Sequence, residues 1–164
     1  MSPHPAPGVA GPVLLVVAGG AVSQAAIART AGLAAGALVT VVGVGSNAIF
    51  QAGTEPEQVR RTVALAMSVL ENTGVMATGH VAVSGSPARA VARMARACGA
   101  RVVILDQPGT SAGGQLVRPG GSGIAAGRRD AGAVGLMAEL RRRMYGSGIV
   151  VLAETDRRGG WVSA

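Results

Sequence analysis

The sequence predicts an α/β fold, an open and mostly parallel five-stranded sheet with helices on both faces. Three observations lead to this prediction. Short runs of Val, Ile and Leu recur along the chain and are nearly continuous, as expected for strands covered on both faces. Amphipathic segments with helical spacing separate these runs. Strands and helices therefore alternate, which is the pattern of parallel sheets with right-handed crossovers.

Each element has its own signature. The predicted strands are Val13–Val17, Leu38–Val44, Val81–Val83, Val102–Leu105 and Ile149–Leu152. The predicted helices run from Ser23 to Ala35, from near Thr54 to before Gly74, from Ser86 to before Gly99, and over residues 131–145. The hydroxyls of Ser23 and Thr54 suit helix N-caps, and Glu57 completes a capping box with Thr54. Cys98 falls on the inward stripe of the third helix, where it is expected to be a small buried residue.

One domain is expected, covering residues 13–153. Residues 1–12 are predicted to be a disordered N-terminal tail, and residues 154–164 a C-terminal tail. A glycine-rich loop is predicted over residues 107–131, with eight glycines from Gly109 to Gly132. Such a long loop is usually functional or disordered. It leaves the carboxyl end of the fourth predicted strand, where ligands bind in folds of this kind.

The composition argues against an enzyme and against a metal site. All 15 basic residues are arginines, which excludes Schiff-base chemistry and the lysine of a phosphate-binding P-loop. A single cysteine, Cys98, excludes an internal disulfide and a cysteine-rich zinc cluster. The two histidines, His4 and His80, are far apart, and His80 is expected in a loop. Asp106 before Pro108 is interpreted as a turn aspartate.

The net charge of +7 lies entirely in residues 81–164, which contain twelve arginines and five acids. We favour a solvated arginine surface and keep an anionic partner as the alternative. Arg141–Arg143 is interpreted as an exposed face of the last helix in preference to a contact with nucleic acid or acidic lipid. No aromatic residues are interleaved, so there is no stacking platform for single-stranded nucleic acid. No export signal or membrane-spanning segment is visible, so a cytoplasmic protein is expected.

The layout from 13 to 153 resembles the universal stress protein family. The resemblance rests on Val16–Gly20 followed by Ser23, on Val83–Pro87 opening a helix that closes at Cys98–Arg101, and on the last strand Gly148–Leu152. It implies the five-stranded fold of that family and of adenine nucleotide alpha hydrolase-like proteins. It also implies a homodimer through the last strand, Ile149–Leu152, and a role in stress responses, with ATP or AMP bound by many members.

The resemblance also implies a set of nucleotide-site positions, at which this chain departs from the family pattern. Those positions are Ala18, Gly19, Val42, Gly120, Gly123, Arg128, Gly132 and Ala133. Nucleotide-binding members have an aspartate where this chain has Ala18, and a hydroxyl residue where it has Ala133. Gly132 falls one residue early for the G-x2-G-x9-G-[S/T] motif, and Asp106 stands where a glycine is usual. Two lost hydrogen bonds of about 1–3 kcal/mol each weaken binding by about a hundredfold or more.

These observations predict a non-catalytic, homodimeric stress-response module with weak or lost adenine-nucleotide binding and no required cofactor. Three alternatives stay open. The first is a functional ATP or AMP site that uses Gly120–Gly123 and phosphate pairing by Arg128 and Arg129. The second is an enzyme with Asp106 and these two arginines at the loop. The third is an arginine-rich scaffold for an anionic partner.

Overall fold

The computed structural model describes residues 11–17, 21–45, 56–107, 127–155 and 161–163, with side chains at all of these except residues 107, 127–134, 154–155 and 161–163. In chain order the elements are β1 (Val13–Val17), β2 (Ala21–Ser23), α1 (Gln24–Ala34), β3 (Val39–Gly45), α2 (Pro56–Asn72), β4 (Ala77–Val83), α3 (Pro87–Ala97), β5 (Val102–Gln107), α4 (Gly127–Met144), β6 (Val150–Thr155) and β7 (Trp161–Ser163).

Five of the strands form one parallel sheet in the order β4-β3-β1-β5-β6, which confirms the predicted fold class. In the centre, Val16 of β1 lies between Val42 of β3 and Leu105 of β5. The chain builds outward from β1 through β3 to β4, and then crosses back to β5 on the other side of β1. The strand order therefore reverses between β1 and β5.

Two helix layers cover the sheet because successive strand residues point to opposite faces. Leu15 and Val17 of β1 pack with α1 and α2. Leu14 and Val16 of the same strand pack with α3 and α4. All four side chains are buried. The nearly continuous apolar runs of the sequence are thus explained by a sheet that helices cover on both faces.

Two strand glycines allow α2 to approach the sheet closely. A Cβ atom at Gly43 would lie 2.5 Å from Val59 and 2.7 Å from Val63. A Cβ atom at Gly79 on the neighbouring strand would overlap the Met67 side chain. Gly43 is therefore a packing residue.

Several boundaries differ from the predicted ones. β4 begins at Ala77, so His80 is an exposed residue in the middle of an edge strand and not a loop histidine. Strand pairing with β3 overrides the weak propensity of the Thr-Gly-His segment. α4 begins at Gly127, four residues earlier than predicted, so the end of the predicted loop is helical. Cys98 is half-buried beside the α3–α4 core.

The segment expected to be a C-terminal tail contains strand structure. β6 continues to Thr155, and β7 pairs antiparallel with β2. In this small second sheet Trp161 lies opposite Ser23, and Ser163 opposite Ala21. Within the described residues, no helix combines the length and apolar character needed to cross a bilayer.

Candidate functional site

The candidate site is the crevice at the carboxyl edge of the sheet between β1 and β5. In open α/β sheets ligands bind outside this edge, at the point where the strand order reverses. β5 ends there with Asp106 and Gln107, and the first residues of α1 follow Ser23 at the same edge. The polar groups that α1 and β5 place here determine what the crevice can accept.

Asp106 and Ser23 are hydrogen-bonded to each other in this crevice. The backbone N–H of Ser23 donates to Oδ2 of Asp106 at 2.8 Å. The Ser23 hydroxyl oxygen accepts from the backbone N–H of Ala26 at 3.0 Å, which confirms Ser23 as the N-cap of α1. Ser23 is fully buried, and Asp106 is 6% exposed.

This arrangement is a capping box completed from a distant strand. In the usual box, a Glu or Gln three residues after the cap reaches back to the N–H of the cap residue. That position is Ala26 here, and the first turn of α1 contains no acid. Asp106, 83 residues away in sequence, supplies the missing acceptor. It also places a carboxylate at the positive end of the helix, where negative charge is stabilising.

This role of Asp106 is not evident from the sequence alone, and the interpretation of Asp106 as a turn residue is wrong. Asp106 lies within β5 and points toward the α1 side, since it follows Ile104 at a spacing of two. The available signal was an incomplete capping box: the N-cap Ser23 is followed by Gln24, Ala25 and Ala26, and the box position Ala26 has no side-chain acceptor. A buried acid at a strand end was the missing partner.

The consequence for ligands is electrostatic. The N-terminus of the helix after the first strand is the usual anion position in doubly wound folds, because its free N–H groups and its dipole favour negative charge. In this protein the Asp106 carboxylate already stands at that end of α1. A phosphate group that approached the same position would meet a buried acid, and it would find the Ser23 N–H already engaged.

Of the other predicted site residues, some lie in described elements and some lie outside the described residues. Val42 is fully buried in the middle of β3, where its side chain packs in the core on the α3–α4 side. With none of its surface exposed, it has no face toward a ligand. Ala18, Gly19, Gly120 and Gly123 lie outside the described residues.

Arg128, Gly132 and Ala133 all belong to α4. Only the first four N–H groups of a helix lack an internal partner. Gly132 and Ala133 are the sixth and seventh residues of α4, so helical bonding engages their backbone N–H groups. Their backbone N–H groups are therefore not free for the phosphate contacts that the family resemblance implies.

The described cysteine and histidine lie away from the crevice. Cys98 ends α3, at the opposite edge of the sheet from Asp106, and its thiol donates to the carbonyl of Ala95 at 3.6 Å. His80 lies on the edge strand β4, two strands away from β1. Among the residues that the structure describes, no three His, Cys, Asp or Glu side chains are grouped as metal ligands.

Comparison with known proteins supports the fold. No protein-family model matches the chain, and no curated relative does. Two solved structures are similar: a universal stress protein from Archaeoglobus fulgidus and a protein of the universal stress protein family from Burkholderia pseudomallei. The first has a TM-score of 0.54 at 16% identity and covers 87% of this chain and 91% of the other. The second has a TM-score of 0.53 at 18% identity and covers 87% and 94%.

A third solved structure shows how widely this fold is used. A bacterial class III photolyase from Agrobacterium tumefaciens matches 94% of this chain with a TM-score of 0.51 at 15% identity, but only 27% of its own length is covered. The chain therefore has the fold of universal stress proteins. A fold of this kind carries many functions, so function must be argued from the site.

Proposed function

We propose that this protein is a non-catalytic, cytoplasmic stress-response and signalling module of the universal stress protein type. It forms a homodimer through β6 and binds ATP or AMP weakly or not at all, so it requires no cofactor. The observation that carries the nucleotide part is the bond between Asp106 and the Ser23 N–H at the start of α1.

Burial strengthens this argument. A carboxylate near a solvated surface is screened by water and salt, whereas a buried one acts at close range with little screening. Asp106 is almost completely buried, so solvent screens its carboxylate little where it accepts from the Ser23 N–H at the start of α1. The chain has no lysine, and any compensating cation must be an arginine.

The non-catalytic part rests on what the described residues bring together. The polar pair at the crevice consists of a backbone N–H and a carboxylate that is committed to a helix cap. The lone cysteine is at the other edge of the sheet, and the described histidine is exposed on β4. A nucleophile with a base in hydrogen-bond reach, which covalent catalysis needs, is not formed by these groups.

The dimer part rests on the edge strand β6. Val150 donates its N–H to the carbonyl of Arg101, so alternate residues of β6 point their backbone groups toward β5. Val151 and Ala153 point theirs outward, and Val150 exposes 45% of its surface. No other described strand pairs with the outer side of β6, and an apolar edge of this kind is a template for pairing with a second copy.

Thermal unfolding with added nucleotide tests the ligand part. We expect the wild-type melting temperature to be unchanged by micromolar ATP or AMP. In Asp106→Asn an amide oxygen can still accept from Ser23, but the charge is gone, so we expect a larger nucleotide-dependent shift than in the wild type. Ligand at about 100 times its Kd adds about 2.7 kcal/mol, which is several degrees for a domain of this size.

The matched control is Glu71→Gln, which removes the same charge from the end of α2 at the opposite edge of the sheet. It should leave the nucleotide response unchanged. A wild-type shift at micromolar nucleotide, or equal responses of the two variants, would contradict the proposed blockade by Asp106.

The oligomeric state is tested separately by light scattering. We expect a dimer that becomes monomeric in Ala153→Pro, because proline removes an outward N–H while leaving the inward hydrogen bonds of β6 in place. Circular dichroism verifies that the variant is folded. A wild-type protein that stays monomeric at high concentration would refute the dimer.

A further inference from the structure

The outer side of the α3–α4 layer is an arginine face, formed by Arg89, Arg93 and Arg96 of α3 and Arg142 and Arg143 of α4. The three arginines of α3 are spaced at i, i+4 and i+7, so they follow one side of the helix. All five residues are exposed. They are separate in sequence, and only the packing of the two helices makes them neighbours.

One contact fixes this arrangement. The Arg96 guanidinium donates to the backbone carbonyl of Arg143 at 3.1 Å, which ties the α3 stripe to the last turn of α4. Read separately along the chain, the two groups of arginines are typical of ordinary solvated helix faces. The Arg96–Arg143 contact joins them into one surface.

Little negative charge offsets this face. Within residues 87–97 and 135–144, Glu139 is the only acid. Its carboxylate holds Arg142 at 2.8 Å and Arg143 at 2.7 Å, in pairs that are open to solvent. Arg89 and Arg93 lie nearer the N-terminus of α3 and take no part in these ion pairs. The face therefore has a net charge of about +4, counted from five arginines and one glutamate at neutral pH.

The chemistry of the face favours phosphate. Guanidinium groups bind phosphate through paired N–H donors and keep their charge at every physiological pH. Ala97 beside α3 and Gly135 and Ala138 of α4 are exposed and small, so they add no bulky side chain to the outer surface of these helices. A row of cations on a helix suits a row of phosphates.

Other anionic partners fit less well. Stable binding to a lipid surface or to an acidic protein usually combines charge with apolar side chains that insert or anchor. Leu38 and Met76 directly precede β3 and β4, Val83 ends β4, and Val150 begins β6, so none of the large exposed apolar residues that the structure describes lies on α3 or α4. Tyr145 is exposed beside α4, but a single aromatic ring is not a platform for successive unpaired bases.

From the geometry we infer that the arginine face binds the phosphate backbone of duplex nucleic acid, without reading its sequence. This revises the expectation drawn from the sequence, in which the arginines were interpreted as a solvated helix face and nucleic acid as an improbable partner. Contacts to duplex phosphates need cations and do not need aromatic stacking. The inference is independent of the crevice and of nucleotide binding there.

The test is fluorescence anisotropy with a labelled mixed-sequence DNA duplex, titrated with the full-length protein over a range of salt concentrations. With Arg142 and Arg143 held by Glu139, phosphate contacts by the three arginines of α3 predict a slope of log K against log salt of about −2.7. The double variant Arg89→Ala/Arg93→Ala should reduce the magnitude of this slope by about 2 and weaken binding by about tenfold to a hundredfold near 0.1 M salt.

The matched control is Arg60→Ala/Arg61→Ala on α2, which removes the same charge from the opposite layer. It should retain most of the affinity. Glu139→Gln should tighten binding, because it releases Arg142 and Arg143. Equal losses in the two double variants, binding only to anionic vesicles, or no duplex binding at low salt would each overturn the inference.

Discussion

The two helix layers are alike on the inside and different on the outside. Against the sheet, α1 and α2 bury Ile27 and Leu70, and α3 and α4 bury Val91 and Leu140. Toward solvent, α2 balances its charges, whereas α3 and α4 expose mostly arginines. Burial fixes the inner positions by volume and hydrophobicity, so it leaves the outer ones free to specialise. The fold and the positive surface are therefore determined by different residues of the same helices.

The outer surface of α2 shows how such charges are neutralised. Glu57 lies 3.6 Å from Arg60 and 3.7 Å from Arg61, at helical spacings of three and four. These exposed pairs contribute little to stability, but they cancel the positive charge locally. In α3 no acid stands at a comparable spacing from Arg89 or Arg93. The absence of acids along α3, more than the number of arginines, makes the second layer positive.

The largest expected effect tests whether the two layers are equivalent inside. Leu70 of α2 and Leu140 of α4 are both fully buried. Either Leu70→Ala or Leu140→Ala should lower the free energy of unfolding by about 2–5 kcal/mol, because each leaves a cavity. Urea denaturation measures both, with an unchanged m-value as the check on two-state unfolding. A loss below about 1 kcal/mol in one variant would show that its layer packs loosely.

An intermediate effect is expected where the layers differ in how closely they approach the sheet. At Gly43→Ala the new methyl group would overlap Val59 and Val63, so α2 must shift, at a cost of about 1–3 kcal/mol. The matched control is Gly32→Ala on α1, where nothing lies within 4 Å. That variant should be neutral or more stable by about 0.5–1 kcal/mol. Similar losses in both variants would argue against close packing at Gly43.

The sequence predicts the fold well for a physical reason. Strands covered on both faces must be apolar throughout, and this one requirement marks β1, β3, β5 and β6. This requirement does not apply at the start of β4, because β4 is an edge strand of the sheet. Thr78, Gly79 and His80 are exposed there, so their sequence has no apolar signature.

The site was less predictable, because it depends on contacts between distant residues. The N-cap role of Ser23 is local and was predicted correctly. The role of Asp106 depends on β5 lying beside β1, which no local pattern of residues specifies. The joining of Arg96 to the end of α4 is similar, because it follows from two crossovers that place α3 and α4 on one side of the sheet. Tertiary proximity was the missing information in both.

The smallest expected effect concerns the one acid on the arginine face. The pKa of Glu139 lies below its ordinary value, chiefly because Arg142 donates a hydrogen bond to its carboxylate, with the charges of Arg142 and Arg143 adding to the effect. A lowered pKa in the folded protein means that the ionised form stabilises the fold. This contribution is present above the ordinary pKa of a glutamate and is lost as the pH falls through the folded value.

Glu139→Gln should therefore melt slightly below the wild type at pH 7, and the difference should vanish in acid. The difference should be small and should shrink in high salt, because the pairs are exposed to solvent. Differential scanning calorimetry at neutral and acidic pH measures it. A difference that persists in acid would mean that Glu139 contributes through packing and not through its charge. Read together with duplex binding, the same variant separates the two outcomes of neutralising this carboxylate, a slightly less stable helix end and a more strongly positive face.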